Sequence, residues 1–215
     1  MKDKNATVII DLKNKSEEEI FEKIDYSRRK NIKKAIRRGL KFIKAQSNEI
    51  KKSHEIYSKV WLEGGISPMK LEKWNGLINK EDYILFTIKL EKEIVGSALI
   101  QKIDKKFLGI KSDDKGIRFR AFSSDKKFNE YRPNDFLYWN CIKYALENKL
   151  DFVDFGGWQI NARGHLKGIN RFKMQWGGEI LFYKKDYPFI KAIGRKLIRN
   201  FGVFWWLNKK IKRIL

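Results

Sequence analysis

Apolar and polar positions along this chain follow two periods, and the switches between them mark its elements. Residues 7–12 form a short apolar run, which predicts a first strand. Ser16 followed three residues later by Glu19 is a capping box that opens a helix. From Asp25 a second helix is expected, with Ile32, Ala35 and Ile36 as its buried side and Gly39 as its stop. Residues 40–45 alternate as a half-buried strand does. Residues 47–63 return to helical spacing, with Ile50, Ile56, Tyr57, Val60 and Trp61 inward and Gly64-Gly65 closing the helix. A short helix is expected at 69–78, then strands at 83–90, 94–103, 107–110 and 117–122, the first two joined by a turn at Glu91-Lys92-Glu93.

The stretch 123–133 is a polar loop, after which Asn134 or Asp135 caps a helix running to about Asn148. A buried strand follows at 152–155. A glycine-punctuated stretch leads from it to Lys173, and a last strand lies at 180–183. Helices, a meander of strands, a helix and a crossover strand predict one mixed α/β domain over residues 1–186. Residues 187–215 differ: they hold eight Lys or Arg and no acid, with Ile190, Ile193, Leu197, Phe201, Phe204, Trp205, Leu207 and Ile211 near helical spacing. That pattern predicts basic amphipathic helices lying on an anionic membrane surface, or else docked on the domain with their lysines solvated.

Charge sharpens the picture. Among 215 residues, 48 Lys and Arg stand against 26 Asp and Glu, a formal net charge of +22. So basic a chain implies a polyanionic neighbour, either nucleic acid or an anionic membrane face; a basic proteome is the bland alternative. Helix residues Arg28, Arg29, Lys33 and Arg37 are dense enough to track a phosphate backbone, and otherwise form a solvated face. The amino terminus is polar and no run of eighteen apolar residues occurs, so a cytoplasmic protein is expected, peripheral on the inner membrane face if the basic helices bind it.

Most catalytic templates fail. His54 and His165 are the only histidines and have no metal-ligand spacing, so no metal and no cofactor is expected. His54 on its Lys-rich helix reads as a surface residue. Cys141 is the single cysteine and sits on an apolar helix face with Leu137, Ala145 and Leu146, the place of a buried structural thiol. No nucleophile elbow or phosphate-binding glycine loop is present. An acetyl-CoA enzyme needs a glycine-rich turn whose amides meet the pyrophosphate at a helix start. Here that turn, 123–133, has no glycine, carries two acids and ends in Pro133.

What remains is a pair of diglycines. Asp154-Phe155-Gly156-Gly157 ends a strand, and Arg171-Phe172-Lys173-Met174-Gln175-Trp176-Gly177-Gly178-Glu179 follows. Each diglycine marks backbone that turns sharply or lies against something else. Lys173, beside Phe172 and upstream of such a turn, is a candidate substrate-facing cation; its alternative is a solvated lysine beside a core ring. Asp154 is a candidate base, although acids at such turns usually cap backbone amides. Trp158 and Trp176 could stack on an adenine or a sugar, or pack in the core. Gly156, Gly157, Gly177 and Gly178 read as backbone necessities that shape the channel.

The blocks RRKNIKKAIRRGLKF, FLYWNCIKYALENKLDFVDFGG and GINRFKMQWGGEILFY together resemble the FemABX family. The resemblance covers most of the chain up to Tyr183. It implies an acetyltransferase-like fold without the coenzyme loop, and transfer of an aminoacyl group from aminoacyl-tRNA to an amine of a cell-wall or envelope precursor. It implies that Phe172 and Lys173 match the family's Phe-Lys pair beside the acyl-donor site and that residues 154–157 match its strand-end turn. Lys173 and Asp154 are the expected catalytic residues, and substrate binding is expected of Phe172, Gly156, Gly157, Trp158, Arg171 and Trp176. Full-length members carry two such domains and this chain matches the second, so either a partner or self-association replaces the first, or the substrate differs. Two other function classes stay open: an N-acyltransferase using acyl-CoA or another thioester, and a non-catalytic basic module that binds RNA or membrane.

Overall fold

The computed structural model describes residues 4–184. Their strands are β1 (Lys4–Asp11), β2 (Lys41–Lys44), β3 (Tyr83–Leu90), β4 (Glu93–Asp104), β5 (Lys115–Ser124), β6 (Phe152–Gly157) and β7 (Glu179–Lys184). Their helices are α1 (Glu17–Lys23), α2 (Tyr26–Arg37), α3 (Ile50–Glu63), α4 (Leu71–Ile78), α5 (Pro133–Glu147) and α6 (His165–Met174). The basic amphipathic segment expected at 187–215 lies outside the described residues.

The strands form one sheet in the order β2-β3-β4-β5-β6-β1-β7. Neighbours from β2 to β5 are antiparallel, as is β6 with β1, whereas β5 and β6 run parallel. A parallel pair needs a crossover, and α5 supplies it. The amino-terminal strand β1 is threaded beside β6, so the first residues of the chain help to build the strand end that matters below.

Period-two alternation sorts the side chains onto two faces. On β3, Ile84, Phe86 and Ile88 join the main core with Ile20, Ile32, Ala35, Leu137 and Cys141, while Leu85 joins Tyr57, Trp74 and Leu99 on the other side. On β6, Val153 and Phe155 enter the main core, and Phe152 packs with Ile9, Ile103 and Leu108 opposite. Cys141 is buried in that core, as its apolar helix face predicts, and burial raises its thiol pKa well above the ordinary value.

Five expectations change. Residues 107–110 are not a strand: Lys105–Leu108 is a 3-10 turn, because the Asp104 side chain accepts the Phe107 N–H and Gly109 takes a left-handed φ of +75°. The loop expected at 123–133 is largely ordered, since β5 runs on to Ser124 and Lys126–Tyr131 forms a second 3-10 turn capped by Asp125. Helix α5 begins at Pro133, the first-turn position where a missing N–H costs nothing; Asn134 and Asp135 lie inside it rather than capping it. Ile36 is exposed, leaving Ile32 and Ala35 as the buried side of α2. His54 is half-buried rather than on the surface, with Nε2 2.7 Å from the Met69 carbonyl and its ring against Trp74 and Tyr57.

Candidate active site at the end of strand β6

The parallel ladder of β5 and β6 stops at the pair Arg118–Asp154, although both strands continue. Beyond it, a bulge on β5 leaves the exposed Arg120 without a register partner on β4. Bulges of this kind re-aim side chains beside functional sites.

At the end of β6 the chain turns through Gly156, whose φ of +78° suits a residue without Cβ. The Asp154 carboxylate accepts the Gly156 N–H at 2.7 Å, two residues on, which is the Asx-turn arrangement. The same oxygen, Oδ1, accepts the Thr7 hydroxyl from β1, and Oδ2 faces the Arg118 guanidinium at 3.3 Å. Asp154 is completely buried. It therefore stands beneath the turn rather than facing a substrate.

Lys173 reaches the same turn from the last turn of α6. Its Nζ donates to the Gly157 carbonyl at 2.7 Å and to the Gly156 carbonyl at 3.1 Å. An ammonium has three N–H donors, so one is left for a ligand. Burial lowers its pKa to about 8; the charge of Asp154 works against that shift and the charge of Arg118 adds to it. The ammonium is thus anchored and only part-exposed, not waving in bulk solvent.

Helix α6 itself was not legible as a helix. Its N-cap, Gly164, offers no side-chain cap and Gly168 weakens its interior. Tertiary bonds hold it instead. The Asn170 amide clips the main chain of Gln159 through both N–H and carbonyl, at 3.2 and 2.9 Å, and Phe172 packs on the main core.

Phe172 and Lys173 diverge. The Phe172 ring meets Tyr138 and Trp176 edge-on and carries the Arg28 guanidinium 5.2 Å from its centroid. Phe172 also lines a cavity of about 410 Å³ at the start of α5, with Tyr138, Phe122, Arg132, Asn134 and Asp135. That volume suits a small ligand. Trp158 is half-buried against the core, its backbone N–H bonded to the Ala6 carbonyl, and Arg171 is exposed on α6. Trp176 is a correction: it is fully buried among Phe155, Tyr138 and Phe172, so no substrate can stack on it. Sequence reasoning missed Arg118 and Thr7. The stretch 117–122 carries two arginines, Arg118 and Arg120, and nothing in the sequence told which of them turns to Asp154 or marked Thr7.

The basic helix α2 also divides. Arg28 turns inward, pairing with the buried Asp135 at 2.8 Å and donating from Nε to Gln175 at 3.1 Å, so it is a structural cation rather than part of an anion-binding face. Arg29 is half-buried, Lys33 lies 5.8 Å from the Phe21 ring, and Arg37 is exposed. Arg28→Ala is expected to cost about 1–3 kcal/mol, because Asp135 would keep only the Asn31 amide for company. Arg37→Ala should leave the melting temperature unchanged, and thermal denaturation of both variants checks the contrast. Among the described residues no group of His, Cys, Asp or Glu is arranged to hold a metal ion, and no helix is long and apolar enough to cross a membrane.

The FemAB family model matches residues 120–184, the stretch from β5 through α5, β6 and α6 to β7. Over that stretch the chain is similar to the FemAB family. No curated protein matches its sequence. Among solved structures, FemX superposes with a TM-score of 0.68 at 15% identity, covering 81% of this chain and 59% of FemX. The C-terminal domain of a putative lysylphosphatidylglycerol synthetase from Agrobacterium fabrum gives 0.57 at 10% identity, covering 84% and 58%. A tetramutant of the BH1408 protein from Bacillus halodurans gives 0.52 at 12%, covering 69% and 99%. The chain therefore spans less than two thirds of FemX. The fold shared with FemX is a mixed and mostly antiparallel sheet flanked by helices.

Proposed function

We propose that this FemAB-like protein transfers an aminoacyl group from aminoacyl-tRNA to an amine of a cell-wall or envelope precursor. The observation that carries the reading is the Lys173 ammonium, anchored on two carbonyls at the end of β6 with one N–H to spare. In the reaction the neutral amine of the acceptor attacks the ester carbonyl carbon. A tetrahedral oxyanion forms, the C–O bond to the ribose breaks, and the leaving oxygen takes up the proton that the amine gives away. Aminolysis of an ester is downhill, so the protein needs chiefly to align the two reactants and stabilise the oxygen that gains charge. The free N–H of Lys173 fits the second task, and Phe172 with the cavity beside it fits the first.

A thioester donor held by its pyrophosphate is disfavoured by chemistry at the start of α5. Pro133 gives no N–H there, and Asp135 places a carboxylate where an anion would bind. Exposed Lys33 and Arg37 on α2, with the overall charge of +22, support contact with an RNA backbone. The part of FemX that this chain does not span leaves room for a partner, or a second copy, to complete the acceptor site.

Thermal shift with charged tRNA, uncharged tRNA and acetyl-CoA tests the donor. Charged tRNA is expected to raise the melting temperature most, with an effect that shrinks steeply as salt rises. Stabilisation by acetyl-CoA alone would move the protein to the thioester class. Tight binding to any RNA, charged or not, with no transfer would leave a basic binding module.

A further inference from the structure

We propose that Arg118, Asp154 and Thr7 are positioning residues that fix both the place and the charge of the Lys173 ammonium. What Lys173 does rests on the transferase reading; the assembly that holds it does not.

A continuous chain of bonds joins three strands to the lysine. The Thr7 hydroxyl on β1 and the Gly156 N–H both donate to Asp154 Oδ1. With its N–H turned back to Asp154, Gly156 presents its carbonyl, with that of Gly157, to Lys173 Nζ. Removing any link frees the turn that supplies both acceptors. Position is set by backbone register rather than by long side chains, since Arg118 and Asp154 sit opposite each other in the ladder and Thr7 pairs with Gly157 across β1 and β6.

Charge follows from the same arrangement. A carboxylate with no exposed surface is costly unless a cation answers it, and Arg118 does so from β5 while lying 5.4 Å from the Phe107 ring. Water has little access to either group, the Arg118 side chain being 15% exposed, so their fields reach Lys173 weakly screened. They act in opposite senses: Asp154 favours the ammonium and Arg118 disfavours it. Tyr138, which packs on Phe172 from α5, stays neutral because burial raises its phenol pKa. Asp154 lacks the access a general base needs, and this assembly gives it a different task.

The test reads Lys173 directly, without any transfer assay. The full chain is labelled with trace acetic anhydride across a range of pH, and acetylation of the peptide carrying Lys173 is followed by mass spectrometry. The wild-type midpoint is expected near 8. Arg118→Met should raise it by about one unit, Asp154→Asn should lower it by about as much, and Arg118→Lys, which keeps the charge, should stay near wild type. A merely structural role would change melting temperature without moving the midpoint in opposite directions. If Asp154→Asn fails to fold, the contrast between Arg118→Met and Arg118→Lys still decides. Equal midpoints in all folded variants would overturn the proposal. Shifted midpoints in a protein that transfers nothing would sink the transferase reading and leave the assembly standing; unshifted midpoints with full transfer would do the reverse.

Discussion

Lys173→Met is expected to lower aminoacyl transfer by about 10²–10³-fold while the protein stays folded, the loss typical of one missing oxyanion donor. Methionine keeps the length and apolar stem of lysine and removes only the charge and the donors. Stability should not suffer. Burial holds the lysine pKa at about 8, below its ordinary 10.5, so between these values the unfolded chain binds the proton that the folded chain has released. Folding stability attached to this group is therefore present above about 10.5 and lost as pH falls through 8. At neutral pH the ammonium is a burden on the fold, and Met at 173 should melt no lower than wild type. The same pKa gives a second signature. If the ammonium is the working form, transfer by the wild type should fall as pH rises through about 8. Circular dichroism and a pH series of transfer rates check both halves.

Gly177→Ala carries the largest expected cost in stability, about 2–5 kcal/mol. Two penalties combine. Gly177 has a φ of +73°, a left-handed conformation that any side chain resists. A Cβ there would also lie 2.8 Å from both the Cβ and the carbonyl oxygen of Lys23, and the oxygen belongs to backbone that cannot swing away. The Gly177 N–H closes the end of α6 on the Met174 carbonyl, so the strain falls on the helix that delivers Lys173. For a domain of this size the melting temperature should drop by roughly 5–15 °C. Gly157→Ala is the control: a Cβ there meets nothing within 4 Å, and its melting temperature should stay close to wild type.

These glycines show how far the sequence could be read. Two diglycines marked two tight places, and both are tight, but for different reasons that residue types alone do not separate. Gly156 turns the end of β6, whereas Gly177 and Gly178 let backbone lie against Lys23, Val8 and Ile9. Strands β3 and β4, the capping box at Ser16 and the crossover through α5 were legible because period and cap chemistry are local. Helix α6 and the turn at Lys105–Leu108 were not, since the first depends on the Asn170 clip and the second on one Asp104 side chain. The site divided in the same way. Lys173 could be picked out by its neighbours in the chain, but Arg118 and Thr7 reach it only through sheet register. Arg28 was misplaced because a run of cations in sequence does not reveal that Asp135, more than a hundred residues on, claims one of them.

Incubating the full chain with a mixture of charged tRNAs and amine-bearing envelope precursors, and reading the products by mass spectrometry, asks most directly whether Lys173 serves the transfer of an aminoacyl group. The expected product is a precursor heavier by one aminoacyl residue, formed by the wild type and absent with Lys173→Met. Equal product from the two proteins, or acylation that needs acetyl-CoA in place of charged tRNA, would contradict it.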